Sequence, residues 1–244
     1  MHAFQTECGV DEVARGCLFG RVYAAAVVWR PCAQLSTTEL PSLPKGIVIR
    51  DSKTMSRAQR ERAAEWIHDN ADTVAIAHKD ERYIDTHNIR RGAHDAMADA
   101  IAHAKSQQPT LVHALIDGDG FAPSFGFRDA LVPYTCVVKG DSTFFTIACA
   151  AIVAKVAHDQ YVRALCTTHP RLDTWYGLCT NVGYGTQTHL HGIRMYGVSP
   201  FHRRTFGVCK HATTTQWDNA QRLDNQNSDS EEPTINAATA ANSC

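Results

Sequence analysis

Apolar residues recur along the chain in two rhythms, and each predicts its own kind of element. Residues 10–29 read as a strand, a glycine-containing turn and a second strand. Ala14, Gly16 and Gly20 punctuate the turn. The run Val22-Tyr23-Ala24-Ala25-Ala26-Val27-Val28-Trp29 is unbroken in the way a strand covered on both faces requires. Residues 30–50, with Pro31, Pro41 and Pro44, read as loop. Ser56 with Gln59 three places on forms a capping box, predicting a helix to about residue 70. Residues 73–78 alternate as a strand does. From 88 to about 105, Ile89, Ala93, Met97, Ile101 and Ala104 fall at helical spacing. Residues 111–116 form a short apolar strand running into Asp117-Gly118-Asp119-Gly120, and 134–138 form another. A long helix is predicted from 144 to about 166, with Ile147, Ala151, Ala154, Val162 and Leu165 on one face. The turn 183–185 precedes a last helix over 186–196. Strands alternating with helices predict an α/β sheet with helices packed on it.

Composition narrows the class. A chain of 244 residues is one domain with additions or two small ones, and 44% hydrophobic with 20% charged residues excludes wholesale disorder. The net charge of −1 argues against a polybasic binder, though a local patch can still meet nucleic acid. The charge is uneven: residues 211–244 hold one basic residue, Arg222, against Asp218, Asp224, Asp229, Glu231 and Glu232. The expectation is therefore a mildly basic folded region, 1–210, and an acidic, low-complexity, disordered tail, 211–244. Nine cysteines, an odd number without CxxC spacing, suggest neither a disulfide framework nor a zinc ribbon. Reduced thiols in a cytoplasmic setting are expected. No secretory signal is visible, and the apolar stretch 144–154 is too short to span a bilayer.

Acids next to strand ends carry the candidate chemistry. Asp11 and Glu12 lie in the first strand between Val10 and Val13, Asp117 ends the strand 111–116, and Asp141 follows the strand 134–138. Taken singly, each of the last two is an ordinary turn residue. Two adjacent acids inside an apolar strand are costlier and harder to dismiss. Carboxylates gathered at one sheet end repel unless a cation neutralises them, and such hard oxygen donors suit Mg²⁺ or Mn²⁺ and phosphoryl transfer at two metals. One difficulty is geometric: neighbours on a regular strand point to opposite faces. Asp11 and Glu12 share a site only if the strand ends, bulges, or lets Glu12 bend round its edge.

The blocks GVDEVARG (9–16), RDSKTMS (50–56), HNIRRGAHDAM (87–97), LIDGDG (115–120), VVKGDSTFFTIACAAIVAKVAHD (137–159), VGYGTQTH (182–189) and GVSPFHRRTF (197–206) resemble, in order, the signature blocks of bacterial ribonuclease HII. The resemblance runs from about Gly9 to Lys210. It implies a ribonuclease H-like fold: a mixed five-stranded sheet flanked by helices, with a small helical C-terminal portion. It implies an endoribonuclease that cuts the RNA strand of RNA–DNA hybrids and incises duplex DNA 5′ of an embedded ribonucleotide. That chemistry leaves 3′-hydroxyl and 5′-phosphate ends and uses two divalent cations, Mg²⁺ or Mn²⁺. The family's catalytic, metal-binding acids fall on Asp11, Glu12, Asp117 and Asp141. Asp11 is expected to bridge the ions, Asp117 to serve the water side, and Glu12 and Asp141 the leaving-group side. Asp119 and Asp159 are not assigned as ligands, and Asp159 is expected to support its surroundings.

Substrate contacts are implied for Arg15 and Gly16, for Tyr184 against the sugar, and for Lys53 near a phosphate. Lys53 reads equally well as an exposed loop lysine, and Tyr184 as a loop aromatic closing the core. Several positions depart from the family. Ala14 stands where the family has Gly, and alanine resists φ > 0, so a loop needing that shape should recognise the junction less well. Val182 replaces a Lys, Cys17 a Pro, Ala151 a Ser and His158 an Arg. In the His202-Arg203-Arg204 block, His202 is read as structural, with the block either meeting the duplex or tying the helical portion to the sheet through acids. Two other readings stand beside this one: a DNA nuclease of the same fold, and a non-catalytic duplex-binding module. A monomer is expected.

Overall fold

The computed structural model describes residues 6–29, 43–124, 132–214 and 216–219. The residues from 220 on, which hold most of the expected acidic tail, lie outside the described residues, as do 30–42 of the expected loop.

Strand β1 (Thr6–Val13) is the middle of a five-stranded sheet. On one side it pairs antiparallel with β2 (Val22–Val28), which pairs antiparallel with β3 (Thr73–Lys79). On the other side it pairs parallel with β4 (Leu111–Asp117), which pairs parallel with β5 (Tyr134–Val137). The order is β3-β2-β1-β4-β5. Helices α1 (Arg57–Asn70), α2 (Glu81–His87), α3 (Ile89–Gln107) and α4 (Phe145–Thr168) flank it, and α5 (Arg171–Tyr176), α6 (Leu178–Asn181) and α7 (Gln187–Tyr196) form the C-terminal portion. The mixed sheet and its helical appendage are those the resemblance implies.

Burial on both faces explains the unbroken apolar run of β2. Ala24, Ala26 and Val28 face Ala96, Met97, Ala100 and Ile101 of α3. Ala25 and Val27 face the other way, toward Ala64 and Ile67 of α1 and Phe145, Ala148, Cys149 and Ile152 of α4. Small residues on β2 and α3 let helix and sheet approach closely. The capping box on α1 forms as its sequence requires: Gln59 N–H donates to Ser56 Oγ and Ser56 N–H to Gln59 Oε1.

Four features differ from the sequence expectation. β1 begins at Thr6, because Thr6 and Glu7 are buried yet matched across the sheet by Thr110 and His113. The short helices α2, α5 and α6 carry too few apolar positions for a period to show; α2 buries only Ile84. Lys139 takes a left-handed conformation, and Gly140–Ser142 coil as a 3-10 turn before α4. Packing continues past Lys210: Trp217 is buried among Phe19, Leu172, Tyr176 and Val198. Among the described residues no helix is long and apolar enough to cross a membrane.

Candidate active site

The β1–β4 ladder ends at Val10↔Ile116, so Asp11, Glu12 and Asp117 come next at the same carboxyl end of two adjacent parallel strands. That is where α/β sheets place their sites. Asp117 pairs with Val137 of β5, and the 3-10 turn just beyond brings in Asp141. Gly140 N–H donates to Asp117 Oδ1 at 2.7 Å. A side chain at Gly140 would meet Ile147 Cδ1 at 2.5 Å and Asp117 Oδ1 at 3.3 Å, so the turn lies close against both.

Asp11 and Glu12 keep the regular ladder, opposite Ala25 and Ala24, so the strand neither bulges nor ends there. Alternation therefore puts Asp11 on the α4 face, with Gly9 and Val13, and Glu12 on the α3 face. Glu12 lines a polar cleft of about 410 Å³ with Arg15, Arg90, His94, Asp117 and Asp119. Asp11 is 8% exposed and accepts from Glu12 N–H at 2.7 Å. The two acids straddle the open sheet end, with Asp117 at the end of the neighbouring strand. Burial, then the charges of Glu12 and Asp117, holds the Asp11 carboxyl well above the usual carboxylate range, and Asp141 adds to it. Asp141 is also raised, by burial and by Asp117, against the pull of Lys53, whose ammonium lies 3.9 Å away. Among the described residues no three His, Cys, Asp or Glu side chains close into a ready cage for an ion. The donors are all oxygen and their charges raise the carboxyls of Asp11 and Asp141 despite the nearby Lys53, features that fit a hard divalent cation.

Two loops border the acids. Arg15 reaches back to Glu12 Oε1 at 3.1 Å, and Gly16 has open space above its Cα. Ala14 sits at φ +73°, the conformation its side chain disfavours. The second loop is bonded to the first: Leu18 N–H donates to Gly183 O at 2.9 Å, and the Cys17 thiol donates to Val182 O. Val182 is likewise left-handed, at φ +44°. Burial raises the Cys17 thiol to about 11, so it stays protonated; its sulfur meets the Tyr184 hydroxyl. Tyr184 is 38% exposed, and Lys155 Nζ lies 5.3 Å from its ring centre. Lys53 is exposed on the turn Ser52–Thr54, capped by Asp51. Asp159 is buried, bound by Lys155 Nζ at 2.7 Å and His158 Nδ1 at 3.0 Å; burial opposes its charge, but these bonds hold the carboxyl below its ordinary range.

Sequence reasoning missed the partners of two groups, although it read His202 itself as structural. Arg203 is fully buried and pairs with carbonyls, not with the acids that tying the helical portion to the sheet was expected to use. His189 and His202 meet Nε2 to Nε2 at 3.0 Å in the core, and burial lowers both imidazoles, with His189 further depressing His202. A group held neutral in the fold takes up its proton on unfolding, so its stabilisation is present above about pH 6.5 and is lost as pH falls. From pH 6.5 to 5 the unfolding free energy should fall more steeply for the wild type than for His202→Asn, by about 1 kcal/mol per pH unit. Urea titrations giving parallel slopes would remove this account of the pair.

This architecture, acids at the carboxyl ends of β1 and β4 with a helical appendage beside them, is that of the ribonuclease H-like nucleases. Among solved structures, ribonuclease H2 from Pyrococcus horikoshii superposes with a TM-score of 0.63 at 19% identity, covering 90% of this chain and 99% of that one. RNase HII of Archaeoglobus fulgidus, solved in complex with PCNA, gives 0.64 at 18% identity, over 83% and 96%. The family profile described as Ribonuclease HII matches residues 8–209. Ribonuclease HII of Parabacteroides distasonis is 36% identical over 206 residues, 84% of this chain and 92% of its own length. The chain belongs to the ribonuclease HII family, which are metal-dependent endoribonucleases.

Proposed function

We propose that this protein cuts the RNA strand of RNA–DNA hybrids and nicks duplex DNA on the 5′ side of an embedded ribonucleotide. The products carry 3′-hydroxyl and 5′-phosphate ends. The observation that carries the reading is the gathering of Asp11, Glu12 and Asp117 at one sheet end, with Asp141 on the turn whose Gly140 N–H holds Asp117. Those four acids would hold two divalent cations, Mg²⁺ or Mn²⁺, which supply an activated water and relieve charge on the departing 3′-oxygen. The protein's own groups do the rest. Arg15 steadies Glu12, and Lys53 presents an exposed positive charge beside Asp141 to a phosphate. The backbone at Arg15 and Gly16, with the exposed ring of Tyr184, meets the ribose, since only the 2′-hydroxyl separates RNA from DNA here. Ala14 already holds the left-handed shape that the family's glycine takes freely, so the departure adds strain without closing the loop. The seven described cysteines are free thiols, in keeping with a cytoplasmic protein, and we take it to act as a monomer.

The test is a DNA duplex with one ribonucleotide, given each metal in turn. Incision 5′ of the ribonucleotide, with an all-DNA duplex left whole, is the expected outcome. Equal cutting of both would favour a DNA nuclease of the same fold. Binding without cutting under any divalent metal would favour a duplex-binding module.

A further inference from the structure

We propose that residues 199–203 are a positioning element that fixes the spacing between the two loops facing the ribose; the inference rests on the reading just given. The loop 14–21 closes the β1–β2 hairpin beyond the last ladder pair, Val13↔Tyr23, so its carbonyls need partners from elsewhere. Arg203 provides them. Its Nε donates to Gly20 O at 2.8 Å, one terminal nitrogen to Arg15 O at 3.1 Å and Cys17 O at 2.9 Å, and the other to Arg21 O at 3.0 Å. Arg203 N–H donates to Leu18 O, Gly20 N–H donates to Phe201 O, and Phe19 bridges His202. Four of the five guanidinium donors are thus spent on one loop, two of them on the carbonyls of Arg15 and Cys17, either side of Gly16. The fork is rigid and planar, so it fixes where those carbonyls stand.

The same segment holds the second loop. Ser199 N–H donates to His202 Nδ1 at 3.0 Å, with Ser199 Oγ 2.8 Å from the same nitrogen, which leaves the His202 proton on Nε2. His202 Nε2–H then donates to His189 Nε2, and His189 Nδ1–H to Tyr184 O at 3.0 Å. Every proton in this relay has one place to be. From the other side Asp85 accepts from Arg204 N–H, Thr205 N–H and the Thr205 hydroxyl, fixing the segment in turn. One short stretch therefore grips the 14–21 loop with Arg203 and the Tyr184 backbone with His202.

The experiment uses the full chain in Mn²⁺ and reads kcat/KM on the one-ribonucleotide duplex against a long RNA–DNA hybrid. Arg203→Lys keeps the charge but cannot span four carbonyls, and His189→Asn breaks the relay. Each should lower the preference for the single-ribonucleotide junction between about 10- and 100-fold. The double variant should lose no more than the worse single one, because either change already releases the spacing. Losses that multiply, or an unchanged preference in a folded Arg203→Lys protein, overturn the proposal. If Arg203→Lys fails to fold, ¹⁵N spectra of the wild type decide: His189 protonated at Nδ1 and His202 at Nε2 support it, and any other tautomers sink it. Arg15→Ala and Tyr184→Ala are run alongside. If they lose the preference while Arg203→Lys keeps it, only the positioning role falls; if they keep it, the ribose contacts fail and this inference fails with them.

Discussion

Asp11→Asn is expected to lower kcat by about 10³-fold or more, roughly 4 kcal/mol of transition-state stabilisation, while leaving duplex binding largely intact. The reason is its place in the charge arrangement. Asp11 is the most buried of the four acids, and the other three all act on it. Asparagine keeps the shape and an oxygen to accept the Glu12 N–H, and gives up the charge that a divalent cation needs. In metal-free buffer the variant should melt no lower than the wild type, because it relieves repulsion from Glu12, Asp117 and Asp141. The melting gain on adding Mn²⁺ should shrink. Single-turnover cleavage with a gel-shift control measures both effects. Cutting at the wild-type rate would remove Asp11 from the site.

The acids were legible in the sequence because their cost was legible: two charges in an apolar strand demand a compensating reason. Their arrangement was not. Period-two alternation separates Asp11 from Glu12, and no bulge reunites them; the open end of the sheet does, which depends on β4 stopping at Asp117. The apolar run of β2 announced its burial, since each side chain had a helix to meet. Arg203 did not announce its partners. It adjoins Arg204, which is exposed, and the block read either as meeting the duplex or as tying the helical portion to the sheet through acids, not through carbonyls. What buries one of them is a set of carbonyls some 180 residues earlier, in the loop of the β1–β2 hairpin where the ladder has ended. Ala14 and Val182 show the same limit. Side-chain preference argues against positive φ at both, yet Ala14 O accepts from Cys17 N–H within its loop and Val182 O from the Cys17 thiol across the two loops.

Gly9→Ala should destabilise the protein by about 3 kcal/mol, the upper range for overpacking a core, and should also impair the molecules that remain folded. A methyl group at Gly9 would sit 2.3 Å from Ile147 N and 2.3 Å from Thr146 C. Those are backbone atoms in the first turn of α4, so no rotamer change can make room. Either β1 or the helix must shift. Asp11 lies two residues along on the same face of β1. Ile147 also packs on Gly140, whose N–H holds Asp117. A displacement of about 1 Å therefore reaches Asp11, Asp117 and, next to Gly140, Asp141, and misplacement on that scale costs about 10²-fold in rate. Gly16→Ala serves as the stability control, because nothing lies within 4 Å of its added methyl. Urea unfolding should separate the two variants clearly. A Gly9→Ala protein within about 0.5 kcal/mol of wild type, the range of an ordinary surface substitution, would mean that β1 and α4 are not in contact here.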